Sequence, residues 1–257
     1  MKKIVFILNS LAGSLFCAGQ QEGRMETDRP DQTESPYITK KKYFQAEFGF
    51  NYEKENGITT LAHPVVLWKY GAAKRFELRL ITEFISTETP MLIPNGNDVI
   101  AGALPIRIGG KAALWEEKGC LPKTSLIFHI APSKIANKKF QTDKWSPEFI
   151  FTMQHTLPGN IGLGYNLGAE WDGFSNTPYW FYTLSPGFNI GKKWYGFVEI
   201  SGAIRKNEKP KSGIDGGIAY YFNDNMKLDL SGGTDIINSP DYIAIGFSSR
   251  FNICRKK

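Results

Sequence analysis

Long apolar runs, cysteine and charge of one sign are all scarce in this sequence. After residue 19, no stretch reaches the roughly 18 consecutive apolar residues that a membrane-spanning helix needs. The 3 cysteines, Cys17, Cys120 and Cys254, are too few for a disulfide framework, so we expect free or buried thiols at Cys120 and Cys254. The 31 basic and 25 acidic residues are interspersed without a basic stripe, so nucleic acid is not an expected partner.

Histidine is also scarce, and this bears on catalysis and metal binding. The 3 histidines, His63, His129 and His155, form no paired-His metal motif, and the sequence has no phosphate-binding loop. A catalytic triad could still assemble from distant strands, because geometry rather than chain order defines one. We nevertheless expect no enzyme activity, no catalytic residue, no metal and no cofactor.

Apolar and polar residues, in contrast, alternate along most of the chain. In one segment a first face carries apolar residues and a second face carries charges: Phe76, Leu78, Leu80 and Phe84 against Arg75, Glu77, Arg79 and Glu83. A period of two residues is typical of a β-strand. We predict strands at about twelve such segments, namely 43–52, 58–70, 74–86, 98–115, 122–132, 146–157, 160–172, 178–191, 193–206, 212–223, 225–235 and 241–251.

The connections between these strands alternate between short and long. The short set is 71–73, 116–121, 158–159, Lys192 and Asp224, and the longer set is 53–57, 87–97, 133–145, 173–177, 207–211 and 236–240. Bacterial outer-membrane barrels have an even number of strands, short periplasmic turns and longer extracellular loops. The sequence therefore predicts an all-β fold, a single antiparallel transmembrane β-barrel of about 12 strands.

The first 19 residues have the parts of a secretory signal peptide. Lys2 and Lys3 precede an apolar run over residues 4–16, and small residues at Cys17 and Gly19 fit cleavage after Gly19. Export without a helical anchor is consistent with the outer membrane. The predicted organisation is a signal peptide over 1–19, a periplasmic or luminal N-terminal segment over 20–42, and the barrel over 43–257.

In a closed barrel the charged faces line the lumen. The candidate luminal residues for solute binding are Glu47, Glu77, Arg79, Glu83, Arg107, Lys111, Glu170, Glu199, Arg205 and Arg250. The same alternation directs Lys69, Glu148, Asp215, Lys227 and Asp229 inward, and the histidines are assigned to the wall or its aromatic girdles. Acids and bases are nearly balanced, which favours a narrow lumen partly filled by ion pairs over a charge-selective pore.

Three prolines, Pro64, Pro105 and Pro186, fall inside predicted strands. Each removes a hydrogen bond that lipid cannot replace, so each should mark a bulge or a local opening. One interpretation is a lateral gap that releases a hydrophobic solute into the membrane, and the other is a tolerated bulge near the interface.

A polar motif precedes the first strand, and its residues are Thr27, Asp28, Arg29, Pro30, Asp31, Gln32, Thr33, Glu34, Ser35 and Pro36. Its charges and two prolines exclude a membrane strand and disfavour a helix. Two interpretations stay open. In the first, the motif is a luminal plug whose charges meet opposite charges on the wall, and in the second it is a periplasmic extension or assembly tag.

This motif, followed by an aromatic alternating strand, resembles the opening of an outer-membrane β-barrel family labelled "MetA-pathway of phenol degradation" or transporter. The resemblance implies a monomeric, porin-like barrel of the Gram-negative cell envelope that passes small, aromatic or hydrophobic molecules. The implied partners are outer-membrane lipid, the barrel-assembly machinery and a small-molecule solute.

The sequence thus supports a transport barrel, with two alternatives. The first is a non-transporting structural or adhesive outer-membrane barrel. The second is a soluble periplasmic β-barrel that binds a ligand, which requires the opposite orientation, with the apolar face of Phe76, Leu78, Leu80 and Phe84 inside.

Overall fold

The computed structural model describes residues 23–55, 57–90, 97–159, 161–236 and 241–253, so the predicted signal peptide and Cys254 lie outside the described residues. Its strands are β1 (Tyr43–Glu55), β2 (Ile58–Ala73), β3 (Phe76–Pro90), β4 (Asn97–Ala103), β5 (Arg107–Trp115), β6 (Lys123–Ala131), β7 (Ser146–Leu157), β8 (Ile161–Glu170), β9 (Tyr179–Ile190), β10 (Trp194–Ile204), β11 (Lys211–Asn223), β12 (Met226–Asp235) and β13 (Asp241–Asn252). Among the described residues, the helical structure consists of one 3-10 turn, Lys138–Phe140, and no helix is long and apolar enough to cross a membrane.

The strands form one closed antiparallel wall. Strands that follow one another in sequence pair, except β4 and β5, and β1 also pairs with β13, which joins the two ends of the sheet. Because β4 and β5 both pair with β3, they act as two halves of one wall strand, and the barrel has 12 wall strands. This closure confirms the predicted fold class, since a closed wall leaves no unpaired edge in lipid.

The three strand prolines coincide with local irregularities in the wall. Pro64 lies in a register shift between Ala62 and Val65 in the pairing of β2 with β3. Pro105 lies in the break between β4 and β5, where Asn137 N donates to Ala103 O at 3.1 Å. Pro186 keeps its register with β8, although its position is left out of the pairing between β9 and β10.

Burial is reversed relative to a soluble protein. On β3, Leu78 and Phe84 are 49% and 42% exposed, whereas Glu77 and Arg79 are 0% and 2% exposed. The exposed apolar side chains continue around the wall, for example at Phe151, Leu167, Val198, Ile218 and Ile245. The alternating faces are therefore oriented as expected for a lipid-facing exterior, and the soluble alternative has the wrong face inside.

Several strands extend further than their apolar pattern indicated. Strand β1 continues to Glu55 and β3 to Pro90, so the predicted loops 53–57 and 87–97 are partly strand. The extensions are polar residues paired beyond the apolar belt, such as Lys54 with Asp241 and Glu88 with Val99. The hydrophobic alternation ends where lipid contact ends. Backbone pairing between strands does not depend on lipid contact, so the strands can continue further.

Candidate functional site

The N-terminal segment, residues 23–42, crosses the barrel lumen as a loop. Met25 N donates to Asp224 O at 2.8 Å, and Lys42 N donates to Gly71 O at 2.8 Å, so both ends of the segment lie at the end of the barrel with the short turns. Its tip, residues 31–34, contacts wall residues of β8 to β11. The segment therefore rises from the short-turn end into the lumen and returns.

Asp28 lies at the centre of a buried ionic cluster with three cations. Its carboxylate contacts Lys69 Nζ at 2.8 Å, Arg79 Nη1 at 2.8 Å and Lys111 Nζ at 2.9 Å. Lys69 pairs directly opposite Arg79 across β2 and β3, and like charges opposite one another destabilise a sheet. Two wall carboxylates face these cations, since Glu47 contacts Lys69 at 2.6 Å and Glu77 contacts Arg79 at 3.2 Å. Asp28 adds a third carboxylate to the three cations.

The pKa of Asp28, which belongs to the N-terminal segment and to no spanning strand, reflects this cluster. Burial alone would raise its pKa, but Lys111, Lys69 and Arg79 hold it well below its usual range. Ser35 N and Ser35 Oγ also donate to Asp28 Oδ1, each at 3.0 Å, which closes the segment on itself. Asp28 is therefore held as a carboxylate.

Acidic wall residues accept the backbone N–H groups of the segment. Glu47 accepts from Asp28 N at 2.9 Å, and Glu77 accepts from Thr39 N at 2.6 Å. Glu199 accepts from Gln32 N at 3.2 Å and from Thr33 N at 2.8 Å. An irregular segment inside a lumen needs such partners, because a buried backbone donor without one is costly.

Side chains fix the tip of the segment. Glu34 accepts from Arg79 Nη2 at 2.9 Å, and Glu34 N and O exchange hydrogen bonds with the Asn166 amide at 2.7 and 2.9 Å. Thr33 Oγ1 donates to Thr183 Oγ1 at 2.7 Å. The tip is thus bound to β3, β8 and β9 at once.

Two paired glycines make room for Arg29. Gly49 and Gly246 lie opposite each other on β1 and β13. A Cβ atom would lie 2.2 Å from Arg29 Nη1 at Gly49 and 2.5 Å from Arg29 Nε at Gly246. Arg29 also pairs with Asp229 at 3.4 Å, and Lys227 donates to Arg29 O. The wall is therefore shaped around this guanidinium.

The candidate luminal residues fall into two groups. Six of them contact the segment or its ion-pair partners, and these are Glu47, Glu77, Arg79, Lys111, Glu199 and Arg250. The others lie away from it. Glu83 and Arg107 pair at 3.7 Å, and Arg107 and Glu148 at 3.9 Å, on the side of the long loops.

The remaining candidates are near the barrel ends. Glu170 lines the long-loop end. Arg205 follows the last residue of β10 and pairs with Asp172 at 2.8 Å. Burial alone would raise the pKa of Asp172, but hydrogen bonds from Ser175, Phe174 and Arg205 lower it. Of the first group, Arg250 donates to Gly23 O at the short-turn end.

Sequence reasoning missed several uncharged partners of the segment. Gln45, Ser125, Asn166 and Thr183 all bond to it, and each occupies an inward position of an alternating strand. Their position was readable from the alternation, although their role was not. His129, assigned to the wall or a girdle, is buried between Arg79 and Glu148.

Above the tip, the lumen widens into a cavity of about 430 Å³ at the long-loop end. Gln32 and Glu34 form its floor, and its side walls come from strands β7 to β13 and the end of β1. The cavity therefore ends on the N-terminal segment.

A closed 12-strand wall with an apolar exterior and a charged lumen defines an outer-membrane β-barrel. The chain belongs to the family described as "Putative MetA-pathway of phenol degradation", whose model matches residues 27–251. That range begins at the first residue of the luminal motif. No curated protein matches the chain in sequence.

Similar solved structures are bacterial outer-membrane barrels. An outer membrane channel from Pseudomonas putida F1 has a TM-score of 0.65 at 9% identity, covering 88% of this chain and 100% of that chain. The NanC porin has a TM-score of 0.54 at 8% identity, covering 79% and 98%. The beta domain of the Bordetella autotransporter BrkA has a TM-score of 0.53 at 11% identity, covering 81% and 98%. At these identities the likeness is one of fold.

Proposed function

We propose that this protein is an outer-membrane channel for small solutes, aromatic ones among them, and that its N-terminal segment is the gate. The observation that carries the proposal is the ionic cluster around Asp28, which holds the segment across the lumen. The family description, which names phenol degradation, and the Pseudomonas putida F1 structure, which is named a channel, support the solute class and the transport role.

In this proposal the candidate luminal charges act in two ways. Arg79, Lys111, Glu47, Glu77 and Glu199 hold the gate by binding the segment. The residues near the long-loop end, Glu83, Arg107 and Glu170, contact solute in the outer part of the lumen. Passage requires that the segment leaves its wall contacts, since the cavity ends on Gln32 and Glu34.

The proposal includes the biogenesis of the barrel. A signal peptide over residues 1–19 is cleaved after Gly19, the barrel-assembly machinery inserts the chain, and the protein acts as a monomer without catalytic activity. A closed wall supports the monomer, because each barrel satisfies its own strand edges.

A non-transporting structural barrel is the second candidate function. It is favoured by the number of bonds on the segment, since nearly every residue of the motif bonds to the wall or to another motif residue. A permanently docked segment would leave a closed barrel. The two functions differ in whether solute flux depends on the segment.

Conductance in planar lipid bilayers tests the proposal. We compare the wild type with a variant whose residues 25–38 are replaced by a Gly–Ser repeat of the same length, and we expect a clear rise in conductance and in liposome uptake of phenol. The matched control replaces residues 206–210, in the long loop after β10, with the same repeat and should conduct as the wild type does. A barrel without the segment that still passes no ions and no phenol would favour the structural alternative.

A further inference from the structure

The cavity at the long-loop end is lined by acids. Its lining contains five carboxylates and a single ammonium group, that of Lys211, and the carboxylates belong to Glu34, Glu53, Glu148, Glu170 and Asp215. Glu34 is neutralised by Arg79, and Glu148 faces His129 and Arg107. By formal charge, the acids of the lining outnumber its bases.

Two pairs of carboxylates face each other across neighbouring strands. Glu148 lies directly opposite Glu170 on β7 and β8, and Glu199 lies directly opposite Asp215 on β10 and β11. Side chains in such positions have Cβ atoms about 4.5–5.5 Å apart, and like charges there repel. A cation between the pairs would offset this repulsion, just as the Asp28 carboxylate does between the opposed cations Lys69 and Arg79 deeper in the lumen.

Asp215 supplies an independent indication of a missing ligand. It lines the cavity and is 6% exposed. Its Oδ2 accepts from Gln32 Nε2 at 3.1 Å, and Tyr242 and Glu199 lie near the carboxyl group, but its Oδ1 is buried and makes no hydrogen bond of normal geometry within the described part of the chain. Among the described residues, Glu170, Glu199 and Asp215 also have no basic side chain within ion-pair distance. A buried carboxylate oxygen without a partner costs free energy unless a ligand binds it.

The rest of the lining favours an organic cation. Phe181, Tyr242 and Ile150 point inward beside the acids and provide apolar and aromatic surface. Aromatic faces attract ammonium groups. Among the described residues there is no cluster of three or more His, Cys, Asp or Glu side chains that could hold a metal ion.

We propose that this cavity binds a small organic amine in its ammonium form, with the ammonium between Glu170 and Asp215 and the apolar body against Phe181 and Tyr242. The inference rests on the proposed function for its meaning, since it names a solute class for the outer part of the same lumen. Binding itself does not require the segment to move, so it can be measured without transport.

Three probes of nearly equal shape and different charge test this inference. Benzylamine, benzyl alcohol and benzoate are titrated by calorimetry into the detergent-solubilised, folded barrel at pH 7. We expect benzylamine to bind at least about tenfold more tightly than benzyl alcohol, as one charge-assisted hydrogen bond would give, and benzoate to bind most weakly. Equal affinities, tighter binding of benzoate, or no binding of benzylamine would overturn the proposal.

Two variants locate the site. Asp215→Asn and Glu170→Gln should each weaken benzylamine binding by about tenfold and leave benzyl alcohol binding unchanged. The control is Glu116→Gln, because the Glu116 side chain is 76% exposed and pairs with Lys123 outside the cavity. Unchanged benzylamine affinity in both cavity variants would overturn the assignment, and heat-modifiable migration on a gel verifies that each variant is folded.

The outcomes separate this inference from the proposed function. Amine binding together with no solute flux, even after removal of the segment, would support the binding site and contradict the channel. Flux that depends on the segment, with no preference for the amine, would support the channel and contradict the binding site.

Discussion

At the scale of single residues, Asp28 is the carboxylate that three buried cations of the wall share. Lys69, Arg79 and Lys111 are among the most deeply buried side chains of the described residues, and all three contact this one carboxylate. Burying a cation is strongly unfavourable unless an anion compensates it. The three cations of the wall and the N-terminal segment therefore stabilise each other.

The substitution Asp28→Asn tests this dependence, because it keeps the shape and removes the charge. Breaking a buried ion pair from one side costs about 3 kcal/mol or more, so we expect backbone amide protection over residues 27–36 to fall about a hundredfold in hydrogen exchange. Asp172→Asn is the control, since Asp172 pairs with Arg205 outside the segment. Equal protection in Asp28→Asn and the wild type would contradict the role given to Asp28.

Alternation made the position of most luminal residues predictable, but not their partners. Glu77 and Arg79 alternate with Leu78 and Leu80, so their inward orientation follows from the sequence. The space at Gly49 and Gly246 could not be predicted, because a glycine in a strand shows only that a side chain is absent. The structure shows that the side chain of Arg29 occupies the space beside both glycines.

At the scale of elements, the N-terminal segment differs from every strand around it. Over residues 24–40 it has no regular hydrogen-bonding pattern, and wall side chains take the place of a neighbouring strand. The strands could be predicted because their period of two is set by lipid on one side. The location of the segment could not, because its charges would be equally satisfied by water outside the barrel.

For the prolines of the wall, too, the sequence predicted the position of a feature but not its contacts. Pro105 indicated a disturbance within the predicted strand 98–115, and the strand is indeed divided into β4 and β5 there. The sequence could not show that the connection containing Lys138–Phe140 lies beside β4, since that contact depends on loop packing rather than on alternation.

A reversible crosslink between the segment and the wall tests whether the segment moves. Thr33 Oγ1 and Thr183 Oγ1 are 2.7 Å apart, close to the separation that a disulfide needs. With Cys120 and Cys254 replaced by serine, Thr33→Cys with Thr183→Cys should lose solute flux when oxidised and regain it after reduction. Thr33→Cys alone should not respond. Equal flux in the oxidised and reduced double variant would show that this part of the segment does not gate the lumen.

At the scale of the whole molecule, the amino-acid composition does not distinguish this membrane barrel from a soluble protein. Apolar residues make up 42% of the chain and the mean hydropathy is −0.28, values that fit a soluble domain. The distinction lies in the arrangement, since the apolar side chains point outward from a wall closed by the pairing of β1 with β13.

Closure predicts resistance to detergent. A closed antiparallel wall must lose many backbone hydrogen bonds together before it unfolds, so the unboiled protein should migrate differently from the boiled protein on a denaturing gel. The measurement uses outer-membrane fractions, with a sample unfolded in urea before loading as the control for the unfolded position. Identical migration of unboiled and boiled samples, in a water-soluble fraction, would contradict a membrane barrel.

The two ends of the N-terminal segment give the barrel a further property. Met25 is bonded to Asp224 in a short turn and Lys42 to Gly71 near the end of β2, so both ends of the segment lie at the same end of the barrel. Such a loop can leave the lumen through the short-turn end without a chain end passing through the pore and without the separation of any two strands. By the same route, the segment can enter the lumen after the barrel wall has closed.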